Sequence, residues 1–220
     1  MESVFIIADD HPLFRDAMSQ AILGFLPNCQ LKLVGDLDAL RELLRDLGSA
    51  DLVMLDLAMP GTSGVSGIIQ VRAEFPDTPI VVVSASEDPA TVRRCLDLGV
   101  SGFIPKSSSS ADIQAAIENV QLGEIWIPPN MDLDETVDAE TRELIEKLNS
   151  LTPQQMRVLA MLGEGLLNKQ IAYELGVSEA TIKAHVSAVL LKLEVDSRTQ
   201  AVIIMNRINA GFPHTQTDSV

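Results

Sequence analysis

Short apolar runs alternate with longer segments of helical periodicity through the first 125 residues. The runs are three to six residues long, as expected of buried strands, and they cover 3–8, 31–34, 51–55, 80–83 and 102–104. The segments between and after them predict helices at 12–26, 37–47, 65–75, 89–98 and 111–122. Asp88 before Pro89 is a helix start, with an aspartate cap and proline in the first turn. Five such units predict an α/β domain with an open, doubly wound, five-stranded parallel sheet.

Polar side chains follow four of the five predicted strands. Asp9 and Asp10 follow the first strand, Asp56 the third, Ser84 the fourth and Lys106 the fifth. Ligands of doubly wound sheets bind beyond the carboxyl ends of the strands. We therefore expect these five side chains to share one site.

The chemistry of this set suits phosphoryl transfer to a carboxylate. Asp56 can attack phosphorus and form an acyl phosphate. Asp9 and Asp10 can bind Mg²⁺ together with Asp56, because Mg²⁺ prefers hard oxygen ligands. Lys106 adds positive charge, and the hydroxyl of Ser84 can donate to phosphoryl oxygens. Each residue alone is better explained as a helix cap or a solvated charge. Their joint occurrence at strand ends favours a phosphoryl site.

The first part of the chain resembles a receiver domain of two-component signalling over about residues 1–125. The motifs that carry the resemblance are Asp9-Asp10, residues 56–61, Ser84-Ala85 and residues 102–106. It implies a flavodoxin-like fold, Asp56 as the phosphoacceptor, Lys106 in contact with the phosphoryl group, and Ser84 with Phe103 as a switch pair. The Mg²⁺ ligands that it implies are Asp9, Asp10, Asp56 and the backbone carbonyl of Ala58. Serine at position 84 and proline at position 105 depart from the commoner pattern, and neither removes a functional group.

From Leu151 onward the pattern is helical throughout. The predicted helix starts are the capping boxes at 152–155 and 197–200 and the N-caps Asn168 and Ser178. Four short helices with short turns predict an all-α helix-turn-helix domain. The third helix runs from 179 to about 193 and has an apolar stripe formed by Ile182, Val186, Val189 and Leu193. Periodicity alone favours a surface helix whose other face is only solvated.

Several segments of this part resemble the LuxR-type (NarL/FixJ) helix-turn-helix, over about residues 149–211. The segments are 151–153, 165–172, 175–178, 181–185, 192–195 and 198–202. The resemblance implies that Lys183, Ala184 and Ser187 face the bases of double-stranded DNA. The weaker candidates for phosphate contacts are Lys169, His185 and Lys192. Glu194 departs from the pattern, since the family usually has glycine before Val195.

The last predicted helix is apolar on more than one face, with the run 201–205 and Ile208. One face can be buried within the domain and another in a homodimer. A two-fold dimer would match two promoter half-sites. The alternative is a helix that other parts of the chain cover.

Charge divides the chain in the same way as the motifs. Residues 1–149 carry 25 acidic and 10 basic side chains, whereas residues 150–220 carry six of each. The neutral second part counts mildly against nucleic-acid binding.

We predict a receiver domain at 1–125, an acidic and partly helical linker at 126–148, a DNA-binding domain at 149–211 and a flexible tail at 212–220. No basic leader and no membrane-length apolar run is present, so we expect a cytoplasmic protein that does not bind membranes.

The motifs together predict a transcription regulator controlled by phosphorylation from a sensor histidine kinase, acting on promoter DNA as a homodimer when phosphorylated. The acidic first part is expected to repel DNA and to mask the recognition helix before phosphorylation. Turnover beyond self-phosphorylation and slow self-dephosphorylation is not expected. One alternative is a DNA-binding or protein-interaction regulator that ignores phosphate. The other is a phosphatase with an aspartate nucleophile, which would use an acid two residues after Asp56, where this chain has Ala58.

Overall fold

The computed structural model describes residues 3–60, 62, 64–129, 131, 133 and 139–209. The chain forms two compact units, one made mostly of residues before Thr136 and the other mostly of residues 137–210. The predicted tail at 212–220 and much of the acidic linker lie outside the described residues.

The first unit is a five-stranded parallel sheet with helices between its strands, which confirms the predicted fold class. The strands are β1 (Val4–Ala8), β2 (Gln30–Val34), β3 (Leu52–Asp56), β4 (Ile80–Ser84) and β5 (Gly102–Pro105). The helices are α1 (Pro12–Phe25), α2 (Leu37–Leu47), α3 (Ser66–Glu74), α4 (Pro89–Asp97) and α5 (Ser110–Gln121). The strand order is β2-β1-β3-β4-β5. The predicted cap of α4 is confirmed, since the Asp88 carboxylate accepts the N–H of Thr91 at 2.9 Å.

The register of the central strands brings their carboxyl ends to one edge of the sheet. Every residue of β3 and β4 is buried, as expected of strands covered on both faces. Asp56 pairs with Val83, and Ser84 pairs with Pro105. The residues that end or follow β1, β3, β4 and β5 therefore lie beside one another.

Trp126 extends the sheet beyond β5, which the sequence did not predict. It forms a parallel bridge with Gly102, donates its N–H to Ser101 at 3.1 Å and accepts the N–H of Phe103 at 3.0 Å. A Cβ on Gly102 would lie 3.0 Å from the Trp126 carbonyl oxygen, so glycine permits this close approach. The indole packs into the core beside Ile104. The exposed edge that β5 would present is thereby covered.

Within the described residues 139–209, the second unit contains five helices. They are α6 (Ala139–Asn149), α7 (Pro153–Gly163), α8 (Asn168–Glu174), α9 (Glu179–Lys192) and α10 (Arg198–Asn209). The four predicted helices of the C-terminal domain are all present. The linker helix is present as α6, and it buries Ile145 and Leu148 within this unit.

The predicted cap of α8 is wrong. Asn168 is the first residue of the helix, and Leu167 occupies the N-cap position. The polar capping contact comes from Gln170, whose side-chain oxygen accepts the N–H of Leu167 at 2.7 Å. Asparagine is a common cap, but here the capping hydrogen bond is made by the glutamine three residues after the cap, inside the first turn of the helix.

Glu194 occupies a backbone position that favours glycine. Its φ is 56°, in the left-handed region. Two hydrogen bonds close the end of α9 in a Schellman motif, from Glu194 to Leu191 and from Val195 to Leu190. Other described helices end on left-handed glycines at Gly99, Gly123, Gly165 and Gly176. The Glu194 carboxylate lies 2.8 Å from the ammonium of Lys147 on α6.

Replacing Glu194 by glycine is expected to raise the free energy of unfolding of the second unit by about 0.5–1 kcal/mol. A left-handed residue other than glycine costs about 1–2 kcal/mol, and the solvent-exposed ion pair with Lys147 offsets only part of that cost. Urea unfolding followed by circular dichroism measures the change. Glu194→Ala keeps the backbone strain, and Lys147→Ala removes the ion pairs of Lys147 with Glu194 and Glu143, so neither control should stabilise. A less stable Glu194→Gly variant would contradict the argument.

Candidate functional site

Three carboxylates meet at the carboxyl ends of β1 and β3. Asp9 and Asp56 are each 1% exposed, whereas Asp10 is partly exposed. One ligand atom each from Asp9, Asp10, Asp56 and His11 lies within 4.8 Å of the others. The structure thus brings together the acidic residues that the sequence predicted to share a site.

Lys106 bridges the two buried carboxylates. Its Nζ lies 2.7 Å from Asp9 Oδ2 and 2.9 Å from Asp56 Oδ2. The same ammonium lies 4.8 Å from the centre of the Phe14 ring, close enough for a cation–π contact. Lys106 therefore holds a positive charge directly beside the predicted nucleophile.

Burial and charge oppose each other at Asp56 and Lys106. Burial raises the pKa of the Asp56 carboxyl above its ordinary value, and the Lys106 hydrogen bond only partly reverses this. Burial alone would lower the pKa of Lys106, but its hydrogen bonds and its charge attraction to Asp9 and Asp56 together outweigh burial and leave that pKa raised. Lys106 is thus firmly protonated, while the ionised form of Asp56 is disfavoured by its surroundings.

Replacing Asp56 by asparagine is expected to stabilise the first unit in EDTA at neutral pH, because the fold disfavours the ionised carboxylate. Since folding raises the pKa of Asp56, its ionised form weakens the fold above that raised pKa. The penalty is absent below the ordinary value of 3.8 and grows as the pH rises through the interval between the two values.

The fluorescence of Trp126 during urea unfolding measures this effect, because Trp126 is the one tryptophan of the chain and is 9% exposed. Asp38, whose side chain is 90% exposed, supplies the matched control Asp38→Asn. A loss of stability in Asp56→Asn at neutral pH would contradict the prediction.

Ser84 and Phe103 lie on the neighbouring strands β4 and β5. Ser84 is 2% exposed, and its Oγ accepts the N–H of Ser86 at 3.1 Å. The backbone carbonyl of Ser84 accepts the N–H of Lys106 at 2.7 Å, which ties the two strand ends together. Phe103 is fully buried, and its backbone N–H donates to Trp126. Their roles as a switch pair stay predictions.

The loop after β3 is organised by Thr62. Its hydroxyl lies 2.6 Å from the Met59 carbonyl oxygen and 3.0 Å from that of Leu57. The backbone N–H of Ala58 donates to the Asp56 carboxylate. The carbonyl of Ala58 stays a predicted metal ligand.

The donor set fits Mg²⁺, the ion that the resemblance implies. Three carboxylates offer hard oxygen atoms, and two of them are buried. Ligands on opposite sides of Mg²⁺ are about 4.2 Å apart, twice the bond length. The ligand atoms now lie within 4.8 Å of one another, so they need to move only slightly closer to bind the ion.

His11 is a site residue that the sequence interpretation missed. Its Nδ1 lies 2.6 Å from Asp10 Oδ1 and 3.3 Å from Asp9 Oδ1, and its backbone N–H donates to Asp9 Oδ1 at 2.8 Å. Arg15 donates to the backbone carbonyl of Asp9. The position of His11 directly after two acidic residues was the available signal.

In the second unit, α9 presents the predicted base-facing residues to solvent. Lys183, Ala184 and Ser187 are exposed, while Ile182 and Val189 are buried against the other helices. Ser178 caps the helix by accepting the N–H of Thr181 at 3.1 Å, as predicted. Lys183 lies 3.0 Å from Glu179, one turn earlier on the same helix.

The three phosphate candidates differ in their surroundings. Lys169 is exposed, and His185 is partly exposed. The ammonium of Lys192 donates inward, to the Ser150 carbonyl at 2.7 Å and to the side-chain oxygen of Gln155 at 2.9 Å. Lys192 thus joins the end of α6 to the start of α7, which favours a structural role over a phosphate contact.

Family models match both parts of the chain. Residues 5–118 match the response regulator receiver domain, and residues 149–205 match the bacterial regulatory proteins of the luxR family. Over the described ranges, no helix combines the length and apolar character that a membrane span requires.

Relatives and solved structures cover nearly the whole chain. The glycerol metabolism activator of Pseudomonas putida is 39% identical over 90% of this chain and 92% of its own length. The nitrate/nitrite response regulator protein NarL of Escherichia coli is 29% identical over 91% of this chain and 94% of its own length.

Two solved structures of the response regulator RcsB are similar in fold. One, from Salmonella typhimurium, is 26% identical with a TM-score of 0.57 over 94% of this chain and 98% of its own. The other is an RcsB–DNA complex, 27% identical with a TM-score of 0.55 over the same shares. The chain therefore belongs to the NarL/FixJ family of two-component response regulators, which are DNA-binding transcription regulators rather than typical enzymes.

Proposed function

We propose that Asp56 is the phosphoacceptor of this regulator, phosphorylated by a sensor histidine kinase to control binding to promoter DNA in the cytoplasm. The observation that carries the proposal is the bridge from Lys106 to Asp56 and Asp9. It places a protonated ammonium beside a buried carboxylate whose pKa is raised.

The proposed reaction moves one phosphoryl group. A carboxylate oxygen of Asp56 attacks phosphorus, the P–O bond forms, and the P–N bond to the kinase histidine breaks with its electron pair passing to the imidazole nitrogen. Lys106 then shifts from the Asp56 oxygen to a phosphoryl oxygen, a short movement because it already touches that carboxylate. Self-phosphorylation from a small donor and slow self-dephosphorylation follow from the same arrangement.

The proposed Mg²⁺ ligands are Asp9, Asp10, Asp56 and the carbonyl of Ala58. When bound, Mg²⁺ supplies positive charge that offsets repulsion between the carboxylates and the phosphoryl oxygens. Lys106 and Arg15 both hold Asp9 in place, Lys106 through its side chain and Arg15 through its backbone carbonyl.

Ser84 and Phe103 are the proposed switch. The Ser84 hydroxyl now accepts an N–H from Ser86 and can turn to donate to a phosphoryl oxygen on Asp56. Phe103 then moves together with Ser84, because β4 and β5 are paired at Ser84 and Pro105. Phosphate shifts the population only as far as it binds one arrangement better than the other.

For DNA binding, we propose that Lys183, Ala184 and Ser187 face bases and that Lys169 and His185 flank them as phosphate contacts. The proposed domain bounds are 1–125 for the receiver and 149–211 for the DNA-binding domain. A homodimer of the phosphorylated chain on two half-sites would double the number of basic side chains presented to DNA.

Two alternatives are separated from this proposal by specific residues. A phosphatase would need an acid or base two positions after the nucleophile, where Ala58 has none. A regulator that ignores phosphate would have no need of Lys106 held between Asp9 and Asp56.

The test is DNA affinity with and without acetyl phosphate. A duplex is first selected from a random pool with the phosphorylated full chain, and dissociation constants are then measured by fluorescence anisotropy at fixed salt. Phosphorylation is expected to tighten binding by about 5- to 150-fold, the usual range of coupling between two sites. Asp56→Asn should show no response. Equal affinities for the treated and untreated wild type would favour the regulator that ignores phosphate.

A further inference from the structure

The start of α9 carries an exposed pair of opposite charges, Glu179 and Lys183. Glu179 is the first residue of the helix, directly after its cap Ser178. Its Oε1 lies 3.0 Å from the Nζ of Lys183, and the two side chains are 48% and 65% exposed. The glutamate precedes the lysine by four residues, which is the favourable order for such a pair. The two charged groups therefore lie side by side before any DNA is bound.

Glu179 lies on the face of α9 that is proposed to read bases. Positions 179, 183 and 187 follow one another at four-residue spacing, and all three side chains are exposed. The opposite stripe, with Ile182 and Val189, is buried. In helix-turn-helix proteins the N-terminal residues of the recognition helix contact base edges. The carboxylate therefore enters the major groove together with the ammonium of Lys183.

A G·C base pair offers complementary groups at a matching distance. In the major groove guanine presents the acceptors O6 and N7, and cytosine presents a donor, its N4 amino group. A Watson–Crick N–H···O hydrogen bond joins N4 to O6, so these two atoms lie about 2.9 Å apart. The ammonium and the carboxylate of the protein are separated by 3.0 Å. Together they can contact one G·C pair, the ammonium at guanine and the carboxylate at cytosine.

The order of the groups in the groove favours G·C over A·T. Guanine places two acceptors side by side for the ammonium, and the cytosine donor follows them for the carboxylate. In an A·T pair the donor N6 of adenine lies between two acceptors, adenine N7 and thymine O4. Both acceptors repel a carboxylate that approaches this donor. The Glu179–Lys183 pair therefore fits a G·C pair better than an A·T pair.

The carboxylate of Glu179 also needs a new partner in the complex. When Lys183 turns to guanine, the carboxylate loses its hydrogen-bond donor and lies close to the negatively charged phosphates of DNA. An ionised group that loses water at an interface without gaining a partner destabilises the complex. The N4 amino group of cytosine supplies this partner within the same base pair.

We propose that Glu179 is a base-reading residue, which accepts a hydrogen bond from N4 of the cytosine whose paired guanine is contacted by Lys183. This inference rests on the proposed base contacts of α9 and names the base pair that they select. Glu179 adds specificity rather than affinity, because its negative charge opposes binding wherever the cytosine donor is missing.

The experiment measures dissociation constants of the phosphorylated full chain by fluorescence anisotropy on the duplex selected from a random pool. Each cytosine is replaced in turn by N4-methylcytosine, which keeps the pairing hydrogen bond and blocks the N–H in the major groove. One replacement is expected to weaken wild-type binding by about fivefold or more and to leave the affinity of Glu179→Ala unchanged. Glu174→Ala removes an exposed carboxylate of α8 and should respond as the wild type does.

Two results would overturn the inference. One is a Glu179→Ala variant that binds every duplex more tightly and keeps the wild-type response to N4-methylcytosine, because Glu179 would then only repel phosphates. The other is a wild type that tolerates N4-methylcytosine at every position. Neither result touches the proposed function if acetyl phosphate still tightens binding. Equal affinities with and without acetyl phosphate would instead overturn the proposed control by phosphorylation, whatever the response to N4-methylcytosine.

Discussion

Acetyl phosphate with Mg²⁺ is expected to add one phosphoryl group to the wild-type chain and none to an Asp56→Asn variant. The nucleophile must be a carboxylate oxygen that reaches phosphorus while Lys106 neutralises the incoming charge. Asp56 meets both conditions, since it ends β3 and its Oδ2 lies 2.9 Å from Lys106 Nζ. The amide of asparagine is a far weaker nucleophile, so the loss is expected to be complete.

Intact-protein mass spectrometry measures this result directly. Asp38→Asn removes an exposed carboxylate elsewhere in the first unit and should take up phosphate as the wild type does. The adduct should also disappear in EDTA if Mg²⁺ is needed. A phosphoryl adduct that persists in Asp56→Asn would move the acceptor to Asp9 or Asp10 and contradict the assignment.

The fold of the first unit follows from features that the sequence displays locally. The all-buried strands β3 and β4 appear as continuous apolar runs, and the polar residues that end them are visible as breaks in those runs. Because the strands are parallel, one rule about their carboxyl ends places Asp9, Asp56 and Ser84 together. The pattern therefore predicted that these three residues share a site, although it gave none of the distances between them.

The contacts inside the site depend on tertiary packing and could not be predicted in the same way. The single ammonium of Lys106 lies between two carboxylates, although β5 is two strands away from β3 in the observed order. His11 looks like a loop residue in the sequence, and only the turn from β1 into α1 directs its ring toward Asp10. Trp126 lies on a run too short to predict a strand, yet Gly102 allows it to pair with β5.

In the second unit too, the helix ends and the contacts of the basic residues could not be predicted from local sequence. Asn168 has the chemistry of a cap, but the helix begins one residue earlier than such a cap would allow. Lys192 resembles a phosphate contact in its spacing, but its ammonium donates hydrogen bonds to the Ser150 carbonyl and the Gln155 side chain. Local sequence gives the residue type at such positions, and the packing of neighbouring helices decides where the side chain points.

Lys183→Ala is expected to weaken binding to the selected duplex by about 1–3 kcal/mol, or about 5- to 150-fold, and to relax base preference where it contacts. Lys183 is 65% exposed on the face of α9 opposite its buried stripe. Its ion pair with Glu179 is exposed and costs only about 0.3–0.5 kcal/mol to break. The ammonium can therefore leave Glu179 for a guanine acceptor at little cost.

Lys169→Ala supplies the contrasting variant for this prediction. Lys169 is exposed on α8 as a phosphate candidate, so its loss should weaken all duplexes alike and lower the salt dependence of binding by about one unit. Anisotropy titrations over a salt series, on the selected duplex and on singly mutated duplexes, separate the two behaviours. A uniform loss in Lys183→Ala with an unchanged base preference would place Lys183 on the DNA backbone, and the recognition face of α9 would then have to be reassigned.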